Sequence, residues 1–109
     1  MPARLNIGNI ILDAGSRKVF RGEKEIRFTP KEFSLLKFMM RNAGQALKRE
    51  DIFNHVWDFF DNSLSNIIDV HMHAIRKKLG RGKGREIIET VPGIGYRLNV
   101  QTQHVLTAI

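Results

Sequence analysis

Apolar positions recur along this chain with two periods, and each change of period marks an element. From residue 5 to residue 28 they alternate: Leu5 with Ile7, Ile10 with Leu12, and Ile26 with Phe28. The pairs Gly8-Asn9, Gly15-Ser16 and Gly22-Glu23 punctuate this stretch, so it reads as a small antiparallel sheet of three or four strands. The period then lengthens to that of a helix. Thr29 as N-cap, Pro30 at the first helical position and Glu32 three residues on form a capping box. Phe33, Leu36 and Met40, thickened by Leu35 and Met39, make one apolar line that stops at Asn42-Ala43-Gly44. A second helix over 49–57 buries Ile52, Phe53, Val56 and Trp57; it lacks a good cap, since Lys48 stands where Ser, Thr or Asp is favoured.

A third helix is predicted over 65–79, capped by Ser65 or Ser63, after a loop over 58–64. Ile68, Met72, Ile75 and Leu79 form a single inward stripe. The opposite side carries Asn66, Val70, His73, Ala74 and Lys77, a mixture of small apolar, hydrogen-bonding and cationic groups. Such a mixture suits base-pair edges in a DNA major groove. A glycine-rich basic turn over 80–85 ends the helix, and 87–91 and 95–100 flank Pro92-Gly93-Ile94 as a hairpin. The expected core joins Phe33, Leu36, Met40, Ile52, Val56, Trp57, Ile68, Met72 and Ile75. The pattern predicts an α+β fold: a winged helix-turn-helix with an N-terminal antiparallel sheet, three helices and a C-terminal β-hairpin wing.

Charge sharpens this reading. The 109 residues carry a formal net charge of +7. Arg76, Lys77, Lys78, Arg81, Lys83 and Arg85 oppose Asp69 alone between residues 64 and 85, so +5 of the +7 sits on the third helix and its following turn. Clustering of this kind marks a surface for a polyanion. The 42% apolar and 27% charged fractions describe an ordinary globular domain, and no run of 18 apolar residues predicts a membrane span. With no cysteine there is no disulfide and no cysteine-based metal site.

Other chemistry is not supported. His71 and His73 lie two apart on a helix, hence about 200° apart around its axis, and cannot converge on one ion. His55 and His104 add no ligand spacing. Gly93-Ile94-Gly95 is half of a dinucleotide fingerprint but sits in a hairpin turn. Asp58 and Asp61 have no nucleophile or base beside them. Neither an enzyme nor a cofactor is expected.

Three segments together resemble the OmpR/PhoB family of bacterial response-regulator effector domains: residues 28–36 (Phe-Thr-Pro-Lys-Glu-Phe-Ser-Leu-Leu), residues 65–71 (Ser-Asn-Ile-Ile-Asp-Val-His) and residues 89–98 (Glu-Thr-Val-Pro-Gly-Ile-Gly-Tyr-Arg-Leu). Their order and spacing match from about residue 5 to residue 99. The resemblance implies a recognition helix in the major groove, a wing at the adjacent minor groove and tandem binding to direct-repeat half-sites of double-stranded DNA. By position it implies base contacts from Asn66, Ile67, Asp69, Val70, His73 and Ala74, and backbone contacts from His71 and Arg76. Lys77 and Lys78 join the backbone set on charge. Two positions depart from the family pattern: His73-Ala74 replaces a cationic pair, and Pro92 replaces the cation before the wing glycine. A weaker wing contact and an altered base preference are expected, with Arg81, Lys83, Arg85 and Arg97 as compensating cations.

The resemblance also implies an RNA polymerase contact through the loop at 58–64, with Asp58, Phe59, Phe60, Asp61 and Asn62 as its residues. It implies a bacterial, cytoplasmic regulator of a two-component system; a monomer in solution that is paired on DNA is the expected state of the chain. Residues 1–4 read as a linker remnant, 5–100 as the DNA-binding domain and 101–109 as a tail. No phospho-acceptor aspartate with an acidic pocket is present: the chain is either an effector domain cut from a longer regulator with a receiver domain, the reading that the linker remnant favours, or a stand-alone protein. The alternatives are a winged-helix protein-interaction module, which the basic cluster opposes unless its partner is acidic, and a sequence-independent DNA-binding protein.

Overall fold

The computed structural model describes residues 4–57, 66–80 and 87–99. Four antiparallel strands come first: β1 (Arg4–Ile7), β2 (Ile10–Asp13), β3 (Lys18–Arg21) and β4 (Lys24–Ile26), in the order β1-β2-β3-β4. Their register aligns Leu5, Leu12, Val19 and Ile26 in one row across the sheet. Side chains two apart share a face, so Ile10 joins Leu12 and Val19 in the core, and Arg21 emerges on that same inner face.

The capping box opens α1 (Pro30–Arg41) as the sequence predicts: Glu32 N–H donates to Thr29 Oγ1 at 3.2 Å, and Thr29 N–H donates to Glu32 Oε1 at 3.0 Å. Phe33, Leu35, Leu36, Met39 and Met40 are buried along one side. The cap at its end is Asn42, whose Nδ2 donates to the Phe38 carbonyl at 2.8 Å. Next comes β5 (Leu47–Lys48), then α2 (Arg49–Trp57), α3 (Ile67–Leu79), β6 (Ile88–Val91) and β7 (Gly95–Leu98). The second sheet has the order β5-β7-β6, with Leu47 opposite Tyr96 and Thr90 opposite Tyr96 on the other side.

Three features differ from the sequence reading. Strand β5 was not expected; two residues are too few to show alternation. Helix α3 begins at Ile67 with Asn66 as its N-cap, which makes no side-chain capping bond, and Ser63 and Ser65 lie outside the described residues. Trp57 is half-buried rather than central: it stacks on Phe53 at 5.3 Å between ring centroids and meets the His71 ring edge-on at 5.1 Å. The other eight expected core residues are buried, in one cluster that also takes in Ile10, Leu12, Val19, Ile88 and Leu98 from the two sheets.

Candidate nucleic-acid interface

The phase of α3 decides what it can present. Ile68, Met72, Ile75 and Leu79 are buried against α1 and α2, so the stripe is the inner face of the helix. At 100° per residue, Asn66, Val70, His73, Ala74 and Lys77 fall within an arc of roughly 100° on the outer face. Asn66, Val70, His73 and Lys77 are exposed and Ala74 is half-buried. Val70 is 60% exposed, and with Ile94 on the wing it is one of two large apolar side chains left in solvent among the described residues. Val70 is thus held outward on a helix that buries four other apolar groups.

One flank of α3 packs against the other helices. Ile67 is half-buried against the core, and His71 Nδ1 lies 2.9 Å from the Ile67 carbonyl while its ring meets Trp57. Lys78 donates to Glu32 Oε1 at 2.5 Å. Burial of Glu32 favours its neutral form, but the bonds from Lys78 and Thr29 outweigh this and hold the carboxyl below its ordinary range. At the helix C-terminus, the Arg21 guanidinium from β3 donates to the Leu79 carbonyl, placing a cation where the helix dipole favours one.

The other flank faces the hairpin. Asp69 accepts a hydrogen bond from Arg49 Nη1 at 2.5 Å and another from the Tyr96 hydroxyl. The Arg49 bond, with that from Tyr96, holds the Asp69 carboxyl below its usual value against the effect of burial. Burial pushes the Tyr96 phenol up, and the neighbouring carboxylate adds to the shift. Arg76 donates from Nε to the Ile88 carbonyl at 3.0 Å and from Nη2 to Thr90 Oγ1 at 2.9 Å, with its guanidinium 5.4 Å from the centre of the Tyr96 ring.

The expected site residues therefore separate by position around the helix. The structure brings Asn66, Val70, His73, Ala74 and Lys77 together on one face. Ile67, Asp69, His71, Arg76 and Lys78 lie on the flanks, where each already meets the protein, because their azimuths fall beside the exposed arc rather than within it. Arg97 pairs with Glu89 at 3.6 Å on the hairpin. The residues Arg81, Lys83 and Arg85, and Asp58, Phe59, Phe60, Asp61 and Asn62, lie outside the described residues. Arg49 was missed from sequence. Its position at the start of α2 gives no local sign that it reaches α3.

Residues 23–98 match the family model described as transcriptional regulatory protein, C terminal. The chain belongs to that family. Its resemblance to OmpR/PhoB-type effector domains extends to relatives and solved structures. It is 40% identical over 94 residues to the transcriptional regulatory protein QseB of Escherichia coli O157:H7, covering 86% of this chain and 41% of that protein. The DNA-binding domain of CpxR from E. coli superimposes with a TM-score of 0.82 at 26% identity, over 89% of this chain and 96% of that domain. The AdeR DNA-binding domain, solved in complex with an intercistronic region, gives 0.73 at 26% identity, over 85% of this chain and 95% of that domain. The family is one of transcription regulators, not of enzymes. The chain spans about two fifths of the length of the curated relatives it matches. Among the described residues no helix is long and apolar enough to cross a membrane.

Proposed function

We propose that this chain is the effector domain of a two-component transcription regulator and binds double-stranded DNA sequence-specifically. In this reading α3 lies in the major groove and the β6–β7 wing lies at the adjacent minor groove. The observation that carries it is the exposed arc of Asn66, Val70, His73 and Lys77 on a helix whose inner stripe is fully packed. Val70 is suited to a thymine methyl, and Asn66 and His73 to hydrogen-bonding base edges. Lys77, with the basic residues of the 80–85 turn, supplies phosphate attraction without sequence preference. The relatives named as transcriptional regulatory proteins and the AdeR complex with DNA support this assignment.

The finer parts of the reading are tandem occupancy of direct repeats by chains monomeric in solution, a polymerase contact through the 58–64 loop, a receiver domain on the same polypeptide and a bacterial cytoplasmic location.

Selection of bound duplexes from a random library near physiological salt tests the reading. The expected result is a directly repeated motif with a period of roughly ten base pairs, one turn of the duplex. Lys77→Ala then weakens binding to every sequence alike, while Asn66→Ala and Val70→Ala change preference at one or two positions. Salt-sensitive retention with no motif would reduce the function to backbone binding, and no retention even at low salt would favour the protein-interaction module.

A further inference from the structure

Asp69 stands on a helix proposed to read bases, yet one oxygen of its half-exposed carboxylate is tied to the protein. A single oxygen, Oδ1, accepts from Arg49 of α2 and from the Tyr96 hydroxyl of β7. The ties close on themselves: Arg49 follows β5 directly, β5 pairs with β7, and the Arg49 N–H donates to the Ile94 carbonyl in the wing turn at 3.4 Å. Seven residues along the same flank, Arg76 bonds the Ile88 carbonyl and Thr90 Oγ1 of β6 and sits over the Tyr96 ring. Tyr96 is thus held at its hydroxyl by an anion and at its face by a cation, both from α3.

Resting on the DNA-binding reading above, we propose that Asp69 is a positioning residue: with Arg49 and Tyr96 it fixes the wing on the flank of α3, so that helix and hairpin meet the duplex as one rigid unit. The wing is a hairpin of two four-residue strands, and an isolated pair of such strands is marginal by itself. Its pairing with β5 involves only Leu47 and Lys48, and its base is held by the buried Ile88 and Leu98 and by the Gly44 N–H bond to the Leu98 carbonyl, which leaves the orientation of the turn end against α3 to be set. The bond from Tyr96 of the central strand β7 to Asp69 and those from Arg76 to the edge strand β6 set that orientation before DNA arrives. Ordering completed in advance is not charged against binding. Both ties use Oδ1, so the competing role for this 47% exposed side chain is a base contact through Oδ2, which base preference in the variants separates from positioning.

The test compares wild type, Asp69→Asn, Tyr96→Phe and the double variant for duplex affinity, base preference and hydroxyl-radical footprint. Asparagine keeps the size and can still accept from Tyr96 but loses the charge. Phenylalanine keeps the ring beneath Arg76, so the fold is preserved. Each single variant is expected to lose affinity by about ten- to 150-fold on every sequence alike, the range of one hydrogen bond involving a charged group. Base preference stays unchanged, the footprint shrinks on the wing side only, and the double variant loses less than the product of the singles. A shift of preference at one base pair in Asp69→Asn but not in Tyr96→Phe would overturn the proposal, because Asp69 would then touch that base. Unchanged affinity and footprint in both variants would overturn it too. Failure of the wild type to retain any duplex sinks the DNA-binding reading as well, and so is distinct from a failure confined to the variants.

Discussion

The two sheets of this protein close in opposite ways. In the four-stranded sheet every strand pairs with its immediate successor across a turn of two to four residues, and the row Leu5, Leu12, Val19 and Ile26 is assembled within 22 residues of chain. In the three-stranded sheet the β6–β7 hairpin is local, but β5 joins it from 49 positions away, Leu47 opposite Tyr96. Local pairing closes short loops at small entropic cost, whereas the β5–β7 contact closes a long loop that contains α2 and α3. The consequence for sequence is concentrated at Gly95. A Cβ there would lie 2.0 Å from the Leu47 carbonyl oxygen and 3.1 Å from the Arg49 nitrogen. In the first sheet the turn residue Gly22, with φ +65, has open space where a Cβ would go.

The sharpest way to break this contrast is to put alanine at both glycines and follow unfolding in urea. Gly95→Ala is expected to lose about 4 kcal/mol or more, since a backbone oxygen cannot move aside without β5 separating from β7. Gly22→Ala should lose only about 1–2 kcal/mol, the cost of a left-handed conformation for a residue with a Cβ. Equal losses would mean that the β5 contact is dispensable. Leu12→Ala comes next, at about 2–5 kcal/mol for emptying a fully buried site. Its transition should remain single, because the inner faces of both sheets share one cluster of buried residues. Two separate transitions would show the sheets unfolding independently.

Thr29→Ala removes one side of the capping box and should cost about 1 kcal/mol, measured by the same denaturation. The smallest effect is acid dependence. Asp69 and Glu32 have carboxyls held below their ordinary values of 3.8 and 4.5. Their contribution is therefore fully present above those unfolded-state values and is lost as pH falls toward and through the folded ones. Melting temperature should drop below about pH 4.5 in the wild type. Asp69→Asn and Glu32→Gln should each flatten that drop; unchanged slopes in both would remove these carboxylates from the acid response.

Where signals are local, the sequence was legible. The N-terminal alternation, the Thr29-Pro30-Glu32 box, the four-residue inward stripe of α3 and the glycine turn of the wing all appear where their residues predict. The expectation of Ser65 as cap differed because Asn66 and Ile67 mark the helix start, and a cap residue without a side-chain bond is not distinguished by type alone. Among site residues, the exposed face of α3 followed from helical phase. The partners of its flanks did not, since Arg49, Thr90 and Tyr96 lie 20, 14 and 27 positions from the α3 residues they bond.

By itself the sequence determined the order of elements apart from β5, the inner and outer faces of α3 and the concentration of positive charge beside it. Each depends on periodicity or composition within one to four turns of chain. Tertiary structure alone decided that Lys78 pairs with Glu32, that Arg21 reaches the end of α3, and that Asp69 and Arg76 hold the wing. Their partners are chosen by which charged and polar groups become neighbours once the shared core has packed, and no spacing along the chain encodes that choice.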